Sequence, residues 1–295
     1  MALEIRRVGK ALGAEVRNVD LAGHVADDDF RQIMTAWHEH LVLVFPGQGL
    51  TNEQHIDFSR RFGDLEIHPS GKYTLKSHPE ILLLTNKKDA AGNYISLRDG
   101  GSIWHSDLSY MQHPSRASLL YSIDVPRDGG DTEWANMYMA YDALPQKLKD
   151  RVSTMQAVHQ LEAAANPRLA PPDKVLKQGI KGSMWDRKTK EAASRTPNVS
   201  HPIVRTHADT GRKALFVNRR FTLWIEDMPR DASEELLLEL FEYAERREHV
   251  YRHRWTKGDL LMWDNRCTIH LACGGVPEDQ IRTMQRTTVL GEVVR

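Results

Sequence analysis

Cysteine, surplus charge and long apolar runs are all scarce in this sequence, and each shortage excludes a class of protein. Its 295 residues include only two cysteines, Cys267 and Cys273, which argues against a disulfide-stabilised secreted scaffold. Basic and acidic residues number 40 each, so the composition gives no general attraction to nucleic acid or to an anionic membrane. No stretch approaches the roughly 20 apolar residues of a membrane span, and the charged N-terminal residues do not form a signal peptide. We expect a soluble, cytoplasmic protein that binds neither nucleic acid nor membrane.

Internal repeats and low-complexity tracts are missing too. The length fits one large domain or two smaller ones, and we expect a single domain over residues 1–295. Many short apolar runs are separated by turn residues, a pattern that predicts a mainly β fold of the sandwich or jelly-roll kind with flanking helices. Residues 163–200 stand apart because they combine prolines and basic side chains with little periodicity. A loop of this length is either a lid within the domain or a solvated insertion, and the sequence leaves both open.

Three helical segments have clear local signals. The stretch ADDDFRQIMTAWHEHL carries apolar side chains, among them Ile33 and Trp37, at helical spacing. The stretch TNEQHIDFSRRFG opens with Thr51, and Gln54 three residues later completes a capping box. The stretch NMYMAYDALPQKLKDRV is predicted to form two helical pieces, because Pro145 interrupts the hydrogen bonding of a continuous helix.

The stretch SIWHSDLSYMQ, residues 102–112, places His105 and Asp107 two positions apart. Neighbours such as Trp104 and Tyr110 favour a strand, in which side chains at i and i+2 point to the same face. His105 and Asp107 would then project into one space. They either share a ligand or lie as two polar residues on a solvated face, and the pair alone does not decide between these alternatives.

His270 supplies a third candidate ligand, since it follows the predicted strand LLMWD and a short turn. Two imidazoles and one carboxylate form the facial triad of non-haem iron(II) enzymes, which leaves positions open for a co-substrate and dioxygen. Zinc is the competing interpretation, because Cys267, His270 and Cys273 have the spacing C-x2-H-x2-C. That set offers only three ligands and does not account for His105.

Two arginines near the C-terminus suggest an anion site. Arg282 and Arg286 lie four residues apart in QIRTMQRTTV, so in a strand both would point to one face. The guanidinium group binds a carboxylate through two parallel hydrogen bonds, and a buried charge is costly without a partner. Two inward arginines would therefore imply anionic ligands, whereas two arginines on an exposed edge strand would imply none.

Five motifs occur in the same order as in the TauD/TfdA family: WHSD, GGDT, VRTH with GRKALFVN, WDNRCTIH and RTMQRTT. The likeness extends from LGAEVRNVDL to TTVLGE, and the chain resembles this family of iron(II)- and 2-oxoglutarate-dependent dioxygenases. The resemblance implies a single catalytic domain with a double-stranded β-helix (jelly-roll) core. It also implies iron(II) as the cofactor, with 2-oxoglutarate and dioxygen as co-substrates.

The resemblance assigns roles to individual residues. The catalytic residues and iron ligands would be His105, Asp107 and His270. The distal carboxylate of 2-oxoglutarate would meet Thr132 and Arg282. Substrate contacts would come from His68, Arg286 and Phe221, and the residues just past the iron motif, Leu108 and Tyr110, would add apolar surface.

The likeness is divided over the substrate. His68 and Phe221 match the taurine branch, but Gly101 and Gly71 stand where that branch recognises the amine of taurine. The stretch VYRHRWTKGDLLMWDNRC is closer to the aryloxyacetate-degrading branch. We therefore expect hydroxylation of a small organic anion with an apolar body.

The expected substrate is a sulfonate, a sulfate ester, or an aryloxyalkanoate or other carboxylate. Hydroxylation of a carbon that bears sulfur or oxygen would lead to C–S or C–O cleavage. The alternatives are a taurine dioxygenase proper, a non-catalytic jelly-roll protein that binds an anion, and a zinc hydrolase. We also expect a homo-oligomer.

Overall fold

The computed structural model describes residues 2–68, 72–96, 101–161 and 197–294, and strands predominate in them. The strands of the N-terminal half are β1 (Glu4–Arg7), β2 (Ala14–Arg17), β3 (Val42–Phe45), β4 (Thr74–Leu75), β5 (His78–Thr85), β6 (Ala117–Asp124) and β7 (Thr132–Asn136). Those that follow are β8 (Gln156–His159), β9 (Val199–Pro202), β10 (Val204–Thr206), β11 (Lys213–Leu215), β12 (Thr222–Ile225), β13 (Val250–His253), β14 (Leu260–Asp264), β15 (Thr268–Ala272) and β16 (Thr283–Val289). The helices are α1 (Asp27–His40), α2 (Asn52–Arg60), α3 (Met137–Asp142), α4 (Gln146–Val152) and α5 (Arg230–Ala244).

Eight strands form the largest sheet, in the order β1-β2-β3-β14-β6-β16-β5-β4. Its neighbours pair antiparallel except β2 and β3, which are parallel. A three-stranded antiparallel sheet has the order β13-β7-β15. The remaining strands form the sheets β12-β8-β9 and β10-β11. The prediction of a mainly β fold with flanking helices is confirmed.

The main core lies between the large sheet and the β13-β7-β15 sheet. Side chains from both, such as Leu120 and Trp263 on one and Trp134 and Ile269 on the other, belong to one apolar cluster. A second cluster lies on the other face of the large sheet, where Trp37 of α1 packs with other apolar side chains. Because both faces of the large sheet are covered, β6 is buried along most of its length.

The local helix signals are confirmed. Helix α1 spans the predicted amphipathic segment and buries Ile33 and Trp37. At the start of α2 the Thr51 hydroxyl accepts from the Gln54 amide, and the Gln54 side chain accepts from the Thr51 amide. Two short helices, α3 and α4, flank Pro145 as predicted.

Two further predictions concern whole segments. Of the predicted lid over 163–200, residues 163–196 lie outside the described residues, and Val199 and Ser200 belong to β9, which pairs with β8. Among the described residues, no helix is both long enough and apolar enough to span a membrane.

Candidate active site

The site lies between the two central sheets, where two histidines distant in sequence are joined through their backbones. His105 forms an isolated antiparallel bridge with His270 of β15, with N···O distances of 3.1 and 2.8 Å. The imidazole rings are 4.1 Å apart between centroids. Main-chain pairing therefore fixes the spacing of the two rings.

Asp107 reaches these histidines from a turn, and the predicted strand over residues 102–112 is wrong. Only His105 of this stretch joins a ladder, and Leu108 has a left-handed backbone with φ 56°. The Met111 amide donates to the Leu108 carbonyl at 2.8 Å, which closes the turn. Trp104 and Tyr110 favour a strand, but both side chains are buried in an irregular loop here. Tertiary packing therefore decides the conformation of this stretch.

The three polar side chains nevertheless converge. His105 Nε2 lies 3.8 Å from Asp107 Oδ1, and His270 Nε2 lies 3.9 Å from Asp107 Oδ2. One donor atom from each residue falls within 4.8 Å of the other two, and all three side chains are buried. The structure thus brings together the residues that the sequence motifs indicated.

Asp107 is held as a carboxylate by charged and polar neighbours. Arg286 NH1 donates to Oδ1 at 2.6 Å, and the Ser118 hydroxyl donates to Oδ2 at 2.6 Å. Burial disfavours the charged form of Asp107, but the Arg286 charge, helped by the Ser118 hydrogen bond, outweighs burial, so the pKa of Asp107 is lowered. Each oxygen keeps a further lone pair for a cation.

Both histidines are neutral at pH 7. Burial, assisted by nearby cations, lowers the pKa of His270 to about 4 and that of His105 well below its ordinary value. His105 Nδ1 lies 2.8 Å from the Ile103 carbonyl, which places the ring hydrogen there and leaves the Nε2 lone pair directed to Asp107. Neutral imidazoles and an ionised carboxylate are the protonation states that metal binding requires.

The Arg282 side chain contacts the residues just before β7, the strand that begins at Thr132. The Arg282 Nε donates to the Gly130 carbonyl at 3.1 Å, and the Thr132 hydroxyl accepts from Trp255 Nε1 at 3.0 Å. The Thr132 hydroxyl hydrogen therefore remains available to another acceptor. Within the part of the chain that the structure describes, Arg282 has no carboxylate partner within ion-pair distance, and burial lowers its pKa to about 10.

The predicted placement of the two arginines is correct only in part. Arg286 lies in β16 as expected, but the strand begins at Thr283, so Arg282 precedes it. The pairing of β16 with β6 also shifts register between Thr283 and Met284. A shift of this kind breaks the simple alternation of faces on which the four-residue spacing relied.

The three predicted apolar contacts form one buried cluster, Leu108, Tyr110 and Phe221. The rings of Tyr110 and Phe221 are 4.8 Å apart, and Phe221 contacts the His105 ring at 5.9 Å between centroids. The side chain of Asn218 holds this cluster, the apolar wall of the site, in place. Its Oδ1 accepts from the Phe221 amide at 2.9 Å, and its NH2 group donates to the Ser109 hydroxyl at 3.0 Å.

His68 is half-buried at the same place. Burial lowers its pKa to about 4, with further effects from Arg286, Asp107 and Arg220. Its electrostatic neighbours are thus the carboxylate and the arginines of the site.

The sequence of this chain as a whole matches a known family. The profile of the taurine catabolism dioxygenase TauD, TfdA family covers residues 4–288. The chain belongs to this family.

Individual relatives of the TauD/TfdA chain act on different substrates. An α-ketoglutarate-dependent 2,4-dichlorophenoxyacetate dioxygenase of Cupriavidus pinatubonensis is 36% identical over 271 residues, 87% of this chain and 87% of the relative. An alkylsulfatase of Acinetobacter baylyi is 31% identical and covers 99% of this chain and 86% of the relative. The crystal structure of a taurine dioxygenase from Burkholderia xenovorans has a TM-score of 0.79 at 28% identity, over 100% of this chain and 93% of that one. The predicted family and enzyme class are confirmed: the chain is a 2-oxoglutarate-dependent dioxygenase.

Sequence reasoning missed Arg220, although it directly precedes Phe221. Its side chain is buried, and the guanidinium carbon lies 4.8 Å from the centroid of the Phe221 ring. Burial lowers the pKa of Arg220 to about 10, while Tyr110 and Asp107 oppose this shift. The only signal in the sequence is the doubled arginine in VNRRF, which an exposed turn would show equally well.

The cysteines do not gather around His270. Cys267 Sγ contacts the Asp264 carbonyl, and Cys273 follows the other end of β15. Cys267 does lie near His207 and Asp264, a second group with metal-ligand atoms. Arg266 already contacts both oxygens of that carboxylate, at 2.9 and 2.7 Å, so this second group is a satisfied ion pair and a poor cation site.

Proposed function

We propose that this TauD/TfdA enzyme binds iron(II) through His105, Asp107 and His270 and hydroxylates a small organic anion with an apolar body. The observation that carries the proposal is the convergence of two neutral imidazoles and one carboxylate beside a buried arginine. The donor set fits iron(II), which such triads bind in non-haem oxygenases. His270 Nε2 is the nitrogen that would bind the metal, because it faces the Asp107 carboxylate at 3.9 Å.

The co-substrate 2-oxoglutarate would be oriented by its distal carboxylate. Arg282 would bind this group through two hydrogen bonds, and the Thr132 hydroxyl would donate a third. This assignment is supported by the absence of a carboxylate partner for Arg282 among the described residues and by the free hydroxyl hydrogen of Thr132. When bound, iron(II), 2-oxoglutarate and dioxygen supply the chemistry: decarboxylation to succinate coupled to hydroxylation of a substrate C–H bond.

The anionic group of the substrate would meet Arg286 and His68. Arg286 donates one hydrogen bond to Asp107, but its buried Nε has no partner among the residues that the structure describes. A buried donor without a partner costs about 1–3 kcal/mol, which an oxygen of a carboxylate, sulfonate or sulfate ester would offset. His68, whose pKa burial lowers to about 4, would lie beside the same anionic group as a neutral imidazole.

The rest of the substrate would lie against the wall of Leu108, Tyr110 and Phe221, which is apolar and suits a hydrocarbon or aryl body. Among the described residues, this apolar cluster offers an amine no carboxylate partner. At Gly101, φ is 93° and an added Cβ would lie 3.1 Å from His105 Cε1, so a side chain at position 101 would be strained and would press on His105. Ser102 is exposed, and Gly71 lies outside the described residues.

We also propose that the two central sheets form the faces of a double-stranded β-helix. The shared apolar cluster between them supports this arrangement. In it, His105, Asp107, His270 and Arg286 all face the space between the sheets, where solvent is excluded and the substrate is held apart from water.

Succinate formation tests the proposal directly. Protein supplied with iron(II) and 2-oxoglutarate would be offered an aryloxyacetate, a short alkyl sulfate, an alkyl sulfonate and taurine in parallel. We expect at least one of the first three to exceed taurine by about tenfold in kcat/KM, equivalent to about 1.4 kcal/mol. Taurine as the best substrate would contradict the assignment of the pocket.

Two matched histidine variants separate metal-dependent turnover from a general effect of substitution. His105→Ala should abolish succinate formation, because one of three ligands is lost. His113→Ala removes an exposed histidine of the same loop and should leave turnover unchanged. Equal activity in both variants would exclude His105 from the metal site.

A further inference from the structure

The side chain of Asn265, in the turn between β14 and β15, uses its whole hydrogen-bonding capacity next to the metal-binding cluster. Its carbonyl oxygen accepts from the Asp107 amide at 3.2 Å and from Trp263 Nε1 at 2.9 Å. Its NH2 group donates to the hydroxyls of Ser115 at 3.2 Å and Ser118 at 3.0 Å. Asn265 is buried, so these four bonds fix the orientation of its amide.

Ser118 extends this arrangement to the Asp107 carboxylate. Its single hydroxyl hydrogen goes to Asp107 Oδ2 at 2.6 Å, while its oxygen accepts from Asn265. The Asn265 amide therefore contacts Asp107 at the backbone directly and at the carboxylate through one serine. The Asn265 main chain also accepts from the Ser106 hydroxyl at 2.8 Å, which ties the residue before Asp107 to the same turn.

Asp107 needs such support more than the two histidines do. His270 lies in β15, and His105 is bonded to it through both backbone groups. Asp107 lies outside any strand and precedes Leu108, whose left-handed backbone is unfavourable for a residue with a Cβ. Without added contacts this turn would relax, and the carboxylate would turn with it.

We propose that Asn265 is a positioning residue that, together with Ser118, holds the Asp107 carboxylate in the orientation that binds the metal. This role rests on the proposed iron site and deepens it. Hydrogen-bond partners of metal ligands commonly contribute tenfold to a hundredfold to metal affinity. Asn265 reaches its ligand from a turn that is remote in sequence, so it also couples the position of Asp107 to that of His270 on the following strand.

The experiment measures Co(II) binding to chelator-treated protein, without 2-oxoglutarate or substrate, by calorimetry and by the visible absorption of the bound ion. Ser118→Ala and Asn265→Ala should each raise the Kd for Co(II) by tenfold or more. The Kd for Co(II) of the double variant should lie within about threefold of the Kd of the weaker-binding single variant. The effects should not add, because the two residues act in series. The matched control is Ser122→Ala, on the same face of β6, where the lost bond is to the Thr256 carbonyl at 2.7 Å. Its Kd should stay within twofold of that of the parent protein.

The outcomes are distinct. A Kd for Co(II) in Ser118→Ala close to that of the parent protein would overturn the positioning role, because a merely structural serine would change the melting temperature and not the affinity. An equal loss of Co(II) affinity in Ser122→Ala would also overturn it. If Asn265→Ala does not fold, Ser118→Ala decides the question by the same measurement. Failure of the parent protein to bind Co(II) would instead overturn the iron site itself, and the positioning role with it.

Discussion

Replacing Arg286 by glutamine should reveal how much the buried pair with Asp107 stabilises the metal-free protein. The two side chains are about 10% and 5% exposed, and they meet at 2.6 Å. Removing one member of a buried ion pair costs about 3–5 kcal/mol, because the remaining charge keeps its desolvation penalty. Asp107 retains the Ser118 hydroxyl, and glutamine can donate one neutral hydrogen bond, so we expect the lower end, about 3 kcal/mol. At about 2 °C per kcal/mol for a chain of this size, the melting temperature should fall by about 6 °C.

The assay is thermal unfolding of the chelator-treated variant beside Arg252→Gln. Arg252 is about half exposed and pairs with Asp131 at 2.8 Å, and a surface pair of this kind contributes about 0–1 kcal/mol. Saturating Mn(II) should narrow the gap between Arg286→Gln and the parent protein, because a bound cation compensates Asp107 in place of the guanidinium. If Arg286→Gln without metal melts within about 1 °C of the parent protein, the reasoning about this pair is wrong.

Three further predictions follow from single contacts. Burial lowers the pKa of His55 from 6.5 to about 4, so its contribution to stability is complete above pH 6.5 and is lost as pH falls towards 4; the loss amounts to about 3 kcal/mol. The free energy of unfolding, measured with urea, should therefore fall less between pH 6.5 and 4.5 in His55→Gln than in the parent protein. An equal fall in both proteins would contradict this. Arg282→Lys and Thr132→Val should raise the KM for 2-oxoglutarate by about tenfold to a hundredfold, from about 1.5–3 kcal/mol per lost bond to a charged group, with Co(II) affinity unchanged. Gly130→Ala should raise the same KM, because the added Cβ would lie 3.0 Å from Arg282 Cδ. The control is Gly92→Ala, which also has a positive φ but open space around it and should leave the KM unchanged.

Elements with local causes could be predicted from the sequence. The apolar spacing in α1 and the Thr51–Gln54 box of α2 act within a few residues, and both are present in the structure. The loop of residues 102–112 could not be predicted in this way. Its composition favours a strand, yet its path is set by the bridge to His270 and the left-handed Leu108, which are tertiary features.

The candidate site shows the same division. His105, Asp107 and His270 were found because their residue types and their order along the chain are informative. Asn265 and Ser118 could not be found, since an asparagine in a turn and a serine in a strand have no distinctive spacing, and their importance lies in contacts between distant segments.

The backbone bridge between His105 and His270 also has a consequence for folding. The Ser106–Asn265 contact beside it closes a loop of 159 residues, so His105, Asp107 and His270 can meet only after this long loop has closed. The segment with His105 and Asp107 lacks both the third candidate ligand and the distant contacts that orient Asp107, so a cation bound there should not nucleate folding. If iron(II) binds there as proposed, it should slow unfolding and leave the refolding rate nearly unchanged, because its site is complete only in the native structure.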